Sequence, residues 1–299
     1  MGDRLTIIAN PISGQGRAGR RVQGVRRRLE QEGYDVTFHE TEAPGHATEL
    51  ATNVPDNSAA VLVAGGDGTI RETASGLLGR SVPLYHLPMG NENLFCREFG
   101  GSVKPGRVLA ALRANRRRDI DVLRFADGTA AIACLGVGFD GQVVKLVDKD
   151  RNGPAGDLDY VLPIWRTLTG YAFPPMHVEA DGEVLLDGPG TLLVGNLSHY
   201  AANIPAFARA IPDDGYMDVL ALPCRNRWEF LKLAGLVIGR LERLGDLRRA
   251  GAKHLTVHSQ APLPVQIDGD VGPATPLEVT LEPACLTVLE GVGRKPRKQ

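Results

Sequence analysis

The sequence predicts two domains: an α/β domain with a parallel sheet, then a mainly antiparallel β-sandwich. From residue 5 to about 125, short aliphatic runs alternate with helical periods, as in a parallel sheet with crossover helices. Beyond that point closely spaced strand-like runs are broken by Asp-Gly pairs, as in antiparallel hairpins. The 299 residues are also enough to bury two ordinary cores.

In the first domain, residues 1–125, strands are expected at Leu5–Ala9, Asp35–His39, Ala60–Ala64 and Pro83–Leu87, each a short apolar or β-branched run bounded by turn formers. Helices are expected near Arg17–Gln31, Ala47–Asn53 and Arg71–Leu78. In the second domain, residues 126–285, strand-like runs occur at Thr129–Leu135, His177–Ala180, Thr191–Gly195, Met217–Leu222 and Leu277–Leu281. Asp127-Gly128, Asp181-Gly182, Asp187-Gly188, Asp214-Gly215 and Asp268-Gly269 suggest hairpins, with one helix, Arg227–Arg243, interrupting the strands. The tail 286–299 is able to pack back on the first domain.

Composition excludes several classes. Lys plus Arg (34) nearly cancels Asp plus Glu (35), so no global field draws the chain to nucleic acid. The four cysteines form no C-x-x-C pair and the seven histidines no H-E-x-x-H, which argues against zinc and suits reduced thiols in a cytoplasmic protein. The apolar run Leu231–Ile238, interrupted by Lys232, falls well short of the roughly 20 residues that span a bilayer.

Two turns carry the chemistry of phosphate binding. Gly65-Gly66-Asp67-Gly68-Thr69 follows the apolar strand Val61–Ala64, and its glycines let backbone amides approach an anion at the next helix's N-terminus. Thr69 adds a hydroxyl, and Asp67 suits holding a metal-bound water or orienting the loop. Without context the segment also reads as a tight strand-to-helix turn. A Gly-Lys-Ser/Thr ending is absent, so this is not a P-loop ATPase. Asn10-Pro11-Ile12-Ser13-Gly14-Gln15-Gly16-Arg17 ends the first strand at the same sheet edge, and two such turns favour a shared nucleotide site. Further on, Asp268-Gly269-Asp270 puts two carboxylates around a glycine after an apolar strand; alone it reads as a hairpin.

Taken in order over almost the whole chain, seven motifs resemble the diacylglycerol kinase catalytic family, which includes bacterial lipid kinases and sphingosine kinases and is related to NAD kinases. The first four are Asn10-Pro11-x-Ser13-Gly14, Thr41 ahead of Ala47, Gly65-Gly66-Asp67-Gly68-Thr69 with Glu72, and Pro88-Met89-Gly90-Asn91-Glu92-Asn93. The others are Gly136-x-Gly138-x-Asp140, Asp214-Gly215-x-Met217-Asp218 and Gln266-Ile267-Asp268-Gly269-Asp270.

The resemblance implies an ATP site in a cleft between the α/β domain and the sandwich. Asn10, Pro11, Ser13, Gly14, Thr41, Gly65, Gly66, Asp67, Gly68, Thr69, Ile70, Arg71, Asn91 and Asn93 would contact the nucleotide. It implies Mg²⁺ near Asp214 and Asp218, and Asp270 as proton acceptor with Asp268 orienting it or holding a metal water. The implied reaction moves the γ-phosphate of ATP to the hydroxyl of a lipid such as diacylglycerol or a sphingoid base, on a cytoplasmic protein with transient peripheral membrane contact. A homodimer stays open.

The chain departs from the family pattern at three places. Gly90-Asn91-Glu92-Asn93-Leu94 replaces Gly-Thr-x-Asn-Asp, Arg71 replaces a usual Asn, and Asp270 replaces Glu. These departures motivate one rival reading, a nucleotide- or lipid-binding protein with impaired turnover; the shared Gly65-Gly66-Asp67-Gly68-Thr69 motivates another, a NAD kinase. On the lipid side, Trp228, Phe230, Leu231, Leu233, Ala234, Leu236, Val237 and Leu241, flanked by Arg225, Arg227, Arg240 and Arg243, read either as an interfacial helix or as a core helix with a basic rim. Pro163-Ile164-Trp165 and Tyr171–Pro175 read as a substrate entrance or as loop packing.

Overall fold

A computed structural model describes residues 3–13, 18–90, 92–150, 157–200, 206–238 and 248–292. The chain divides into two compact units, one running to Ile120 and resuming at Ala284, the other from Asp121 to Pro283.

The first unit contains β1 (Arg4–Ala9), α1 (Ala18–Gln31), β2 (Asp35–Glu40), α2 (His46–Thr52), β3 (Ala60–Gly65), α3 (Asp67–Leu77), β4 (Leu84–Pro88), α4 (Leu94–Phe99) and α5 (Pro105–Ala114). Its strands lie in the order β4-β3-β1-β2, all parallel. All six residues of β3 are buried, as the centre of a parallel sheet covered on both faces requires. Val22, Val25 and Leu29 recur at helical spacing along α1 and pack with Ile7, Leu62, Tyr85 and Val108.

Helix α3 begins at Asp67, four residues before the expected Arg71, because extended Gly66 (φ −93°) passes straight into it. The glycine-rich motif therefore is the helix's first turn. Helices α4 and α5 were not among the expected elements. The former starts after left-handed Asn93 (φ 50°), a conformation Asn tolerates, and the latter has Pro105 in its opening turn.

The second unit takes in the later part of β5 (Arg117–Phe125), then β6 (Ala130–Ala131), β7 (Cys134–Val137), α6 (Phe139–Asp150), α7 (Val161–Gly170), β8 (Pro175–Ala180) and β9 (Glu183–Gly195). There follow β10 (Met217–Pro223), α8 (Arg227–Ile238), β11 (Arg248–Ala252), β12 (His254–His258), β13 (Val265–Ile267), β14 (Asp270–Val271) and the earlier part of β15 (Leu277–Leu289). Strand β9 serves two antiparallel sheets: its first half pairs with β8, its second with β7 and β10. Leu135, Val178, Leu192, Val194, Val219, Leu255 and Val279 fill the sandwich core.

Three expectations for this unit need correction. The run Thr129–Leu135 is two strands, β6 and the start of β7. Asp187-Gly188 lies inside β9, where Asp187 still pairs with His177, so no hairpin forms there. Three α-helices, not one, occur among the described residues of this unit. Pro163 made its segment read as a loop, but it falls in the first turn of α7, where a missing N–H costs nothing. The expected continuation of α8 through Arg240, Leu241 and Arg243, and the side chain of Leu236, lie outside the described residues. No helix among them is long and apolar enough to cross a membrane.

Candidate active site

In the first unit, those candidate nucleotide residues that the structure describes gather at the C-terminal ends of the parallel strands, where open α/β sheets bind ligands. The Asn10 amide donates to Thr69 Oγ1 at 3.2 Å, and its Oδ1 accepts the Ile12 N–H at 3.1 Å. Pro11 is exposed and Ser13 half-buried, its N–H reaching the Asn10 carbonyl at 3.2 Å. Thr41 follows β2 and gives its N–H to the Ala9 carbonyl at 2.9 Å.

The glycine motif is shaped from several sides. A Cβ on Gly65 would stand 2.5 Å from the Thr69 Cβ, and one on Gly90 would stand 2.8 Å from the Gly66 Cα. Glycine at 65 therefore makes room for the Thr69 side chain, and glycine at 90 lets two turns lie backbone against backbone. Asp67 Oδ1 accepts the Phe95 N–H at 3.2 Å, which ties the same turn to the start of α4. Asn93 closes the other turn on itself, its Oδ1 accepting the Gly90 N–H at 3.0 Å and its amide donating to the Gly90 carbonyl.

The Ile70 N–H returns to the Gly66 carbonyl at 3.1 Å, so the amides before it open the helix with no intrahelical acceptor. They form the positive end of the α3 dipole. Ile70 itself is buried in the core, Arg71 and Gly68 are half-buried on α3, and Leu94 is buried at the start of α4. Gly14 and Asn91 lie outside the described residues.

Sequence reasoning missed His86. It is fully buried in β4, and its Nε2 lies 2.9 Å from the Gly65 carbonyl oxygen. Burial pushes its pKa down, which keeps the ring neutral with Nε2–H donating to that carbonyl. A single histidine inside an apolar strand gave no sequence signal for this contact.

In the second unit, Asp268 and Gly269 both take positive φ (50° and 88°), the two-residue turn that joins β13 to β14. The Asp268 carboxylate is buried and accepts three backbone N–H groups, from Ile132, Ala133 and Cys134, each at 2.8 Å. It is a structural clamp that fixes the hairpin on which half-buried Asp270 is carried. A second buried chain supports the same hairpin. Tyr200 donates its hydroxyl to Asp140 Oδ2, Gln266 donates to the Tyr200 oxygen at 3.2 Å, and Gln266 Oε1 accepts the Gly269 N–H at 2.9 Å. Burial raises the pKa of Asp140, with the Tyr200 and Gln266 hydrogen bonds opposing the rise.

Asp214 is exposed in the turn before β10, and its Oδ1 accepts the Tyr216 N–H at 3.0 Å; Asp218 is half-buried within β10. Buried Asp121, also missed by sequence reasoning, accepts the Gly215 N–H at 2.8 Å. The Asp214 pKa is raised by desolvation, against the Tyr216 hydrogen bond, and further by the nearby charges of Asp121 and Asp213. A divalent cation would relieve that repulsion, and carboxylate oxygens suit Mg²⁺. No group of three or more His, Cys, Asp or Glu among the described residues could by itself hold a metal ion. A Mg²⁺ bound here would therefore rely on one or two carboxylates, substrate phosphates and water, which is its usual habit.

Comparison with known proteins agrees with this architecture. The family model described as the diacylglycerol kinase catalytic domain matches residues 4–125, and the YegS C-terminal NAD kinase beta sandwich-like domain matches residues 133–290. A diacylglycerol kinase of Mycobacterium tuberculosis is 29% identical over 295 residues, covering 96% of this chain and 94% of that relative. One of Bacillus subtilis is 28% identical over 287 residues, covering 92% of each. A crystal structure of a diacylglycerol kinase from Bacillus anthracis has the same fold, with a TM-score of 0.72 at 20% identity over 96% of each chain. A second structure from that organism gives 0.80 at 22% identity, over 98% of this chain and 99% of the other. With both domains matched in order, the chain belongs to the diacylglycerol kinase catalytic family, a family of lipid kinases, and carries the NAD kinase-like β-sandwich as its C-terminal domain.

Proposed function

We propose that this lipid kinase transfers the γ-phosphate of ATP to a lipid hydroxyl, with diacylglycerol as the first candidate acceptor. The observation that carries the reading is the opening of α3. First-turn amides that have no intrahelical acceptor, the Thr69 hydroxyl oriented by Asn10, and the bare backbone of Gly66 against Gly90 make a place for phosphate. Asn10, Pro11, Ser13, Gly14, Thr41, the stretch Gly65–Arg71, Asn91 and Asn93 are the proposed nucleotide residues. Within that set, Ile70 anchors the helix from the core, and Asn93 closes its turn back on Gly90.

Phosphoryl transfer needs its reactants positioned and the transferred charge neutralised. Mg²⁺, held with the help of Asp214 and Asp218, would supply part of that neutralisation when bound. The acceptor hydroxyl loses its proton to Asp270 as its oxygen bonds to the γ-phosphorus and the bond to the β-phosphate oxygen breaks, releasing ADP. Asp268 positions Asp270 through the hairpin. The clamp bears on the one-methylene shortening from Glu to Asp, since a misplacement of about 1 Å can cost a hundredfold in rate.

Phosphorylation of NAD is the weaker reading, because the family model matched over residues 4–125 is that of the diacylglycerol kinases. The test offers the purified protein labelled ATP and Mg²⁺ with diacylglycerol, a sphingoid base or NAD. Label in a lipid supports the proposal. Label in NAD alone overturns it, and ATP binding with no labelled acceptor selects impaired turnover instead.

A further inference from the structure

We propose that the outward faces of α7 and α8 form a docking surface for an anionic lipid bilayer. In purpose this rests on the lipid-kinase reading, since a diacyl acceptor resides in a bilayer.

Helix α7 has its polarity inverted. The residues it buries are Pro163 and Thr167, four apart, while Leu162, Ile164 and Trp165 are exposed. An ordinary surface helix does the opposite. Helix α8 buries Leu233 and Val237, four apart, in the ordinary way, but it also exposes Trp228 and Leu231, three apart. Trp165 is 62% and Trp228 68% exposed, well beyond what ring packing against the protein allows.

Both helices rest on one aromatic base. The Phe139 ring lies 4.3 Å from Phe230 of α8 and 6.1 Å from Tyr171 at the end of α7, and Phe173 lies 5.5 Å and 5.2 Å from the same two rings. The exposed residues are therefore presented by a packed platform.

Charge selects the occupant. Arg166, Arg225, Arg227 and Lys232 are exposed on these helices and their approaches, against the acids Asp159 and Glu229. The Glu229 carboxylate already accepts the Arg225 N–H at 2.8 Å and the Asn226 amide at 3.1 Å. The Arg227 guanidinium lies 5.2 Å from the Trp228 ring centre, an aromatic and a cation side by side. Exposed Trp with a rim of Arg and Lys is the composition that settles at a headgroup boundary. A second copy docked face to face by a twofold axis would bring the same cations together.

The chain has two tryptophans, Trp165 and Trp228, so its intrinsic tryptophan emission reads this face alone. Full-length protein is titrated with phosphatidylcholine vesicles, with and without phosphatidylglycerol. The expected result is a blue shift and quenching by brominated acyl chains on the anionic vesicles, weakened by salt. The W165S/W228S variant, with an unchanged melting temperature, should sediment with those vesicles at least about tenfold less and still phosphorylate a short-chain, water-soluble diacylglycerol. Emission unmoved by anionic vesicles, or undiminished sedimentation of the variant, overturns the proposal. So does a blue shift that follows protein concentration without vesicles, which would make the occupant a second copy. Docking without phosphorylation of either lipid form would sink the kinase reading and leave the surface standing. Phosphorylation without docking would do the reverse.

Discussion

Asp268 accepts the backbone N–H of Cys134 at 2.8 Å and returns its own N–H to the Cys134 carbonyl at 3.0 Å, so the two residues hold each other reciprocally. With Ile132 and Ala133 also donating to it, the Asp268 carboxylate holds three backbone amides. Asp268→Asn places an amide group against the Ile132 N–H or the other two donors. A buried donor without an acceptor costs about 1–3 kcal/mol. Urea unfolding should show a loss of about 2 kcal/mol for Asp268→Asn and a smaller loss for Asp270→Asn. Equal stability of the two variants would remove the clamp from the account.

Gly66 and Gly90 make opposite predictions although they touch each other. A Cβ on Gly90 would meet the Gly66 Cα at 2.8 Å, while a Cβ on Gly66 would find the Gly90 Cα at an ordinary 3.4 Å. Gly90→Ala should force the turns apart, costing about 1–3 kcal/mol and weakening ATP binding. Gly66→Ala should keep its stability within about 0.5 kcal/mol. Calorimetric ATP titration and thermal melts of both variants check the asymmetry.

Much of this was legible in the sequence, and the remainder was hidden for physical reasons. The buried runs of β1 and β3 and the Asp-Gly turn before β14 announce themselves because local chemistry dictates them. The start of α3 was misplaced because glycines lower helix propensity, yet the turn needs them for close approach. Helix α7 was obscured by Pro163 and by a face that is apolar outward. Asp121, His86 and the Tyr200–Gln266 chain act through contacts between residues far apart in sequence, so no spacing rule finds them. The role of Asp268 was half visible: the motif marked it, but only the fold shows three amides converging on it.

Asp140 gives stability a pH dependence. Its folded-state pKa lies above the ordinary carboxylate value of 3.8, chiefly through burial. Between that value and its raised one, the native state binds more protons than the unfolded state, so this contribution is full at lower pH and lost as pH rises through the folded pKa. Asp140→Asn retains an oxygen for the Tyr200 hydroxyl and cannot ionise. Urea unfolding at a series of pH values should show the wild-type losing stability relative to Asp140→Asn as pH rises through that window. Parallel profiles would refute this.

Asp214 should govern the demand for metal. On the proposed assignment, Mg²⁺ would offset the like charges of Asp214, Asp121 and Asp213. Asp214→Asn should raise the Mg²⁺ concentration for half-maximal activity by about tenfold or more, at little cost to ATP affinity measured without metal. An unchanged Mg²⁺ requirement would place the metal elsewhere.

The most direct test follows phosphatidic acid formation from diacylglycerol vesicles by the wild-type protein and by Asp270→Asn, with ATP binding measured on the same samples. The account predicts ATP- and Mg²⁺-dependent product from the wild-type, and a loss of at least about a hundredfold in the variant with ATP affinity preserved. Product formed equally by both proteins would contradict the assignment of the base. Absence of product from a wild-type protein that binds ATP would contradict the function itself.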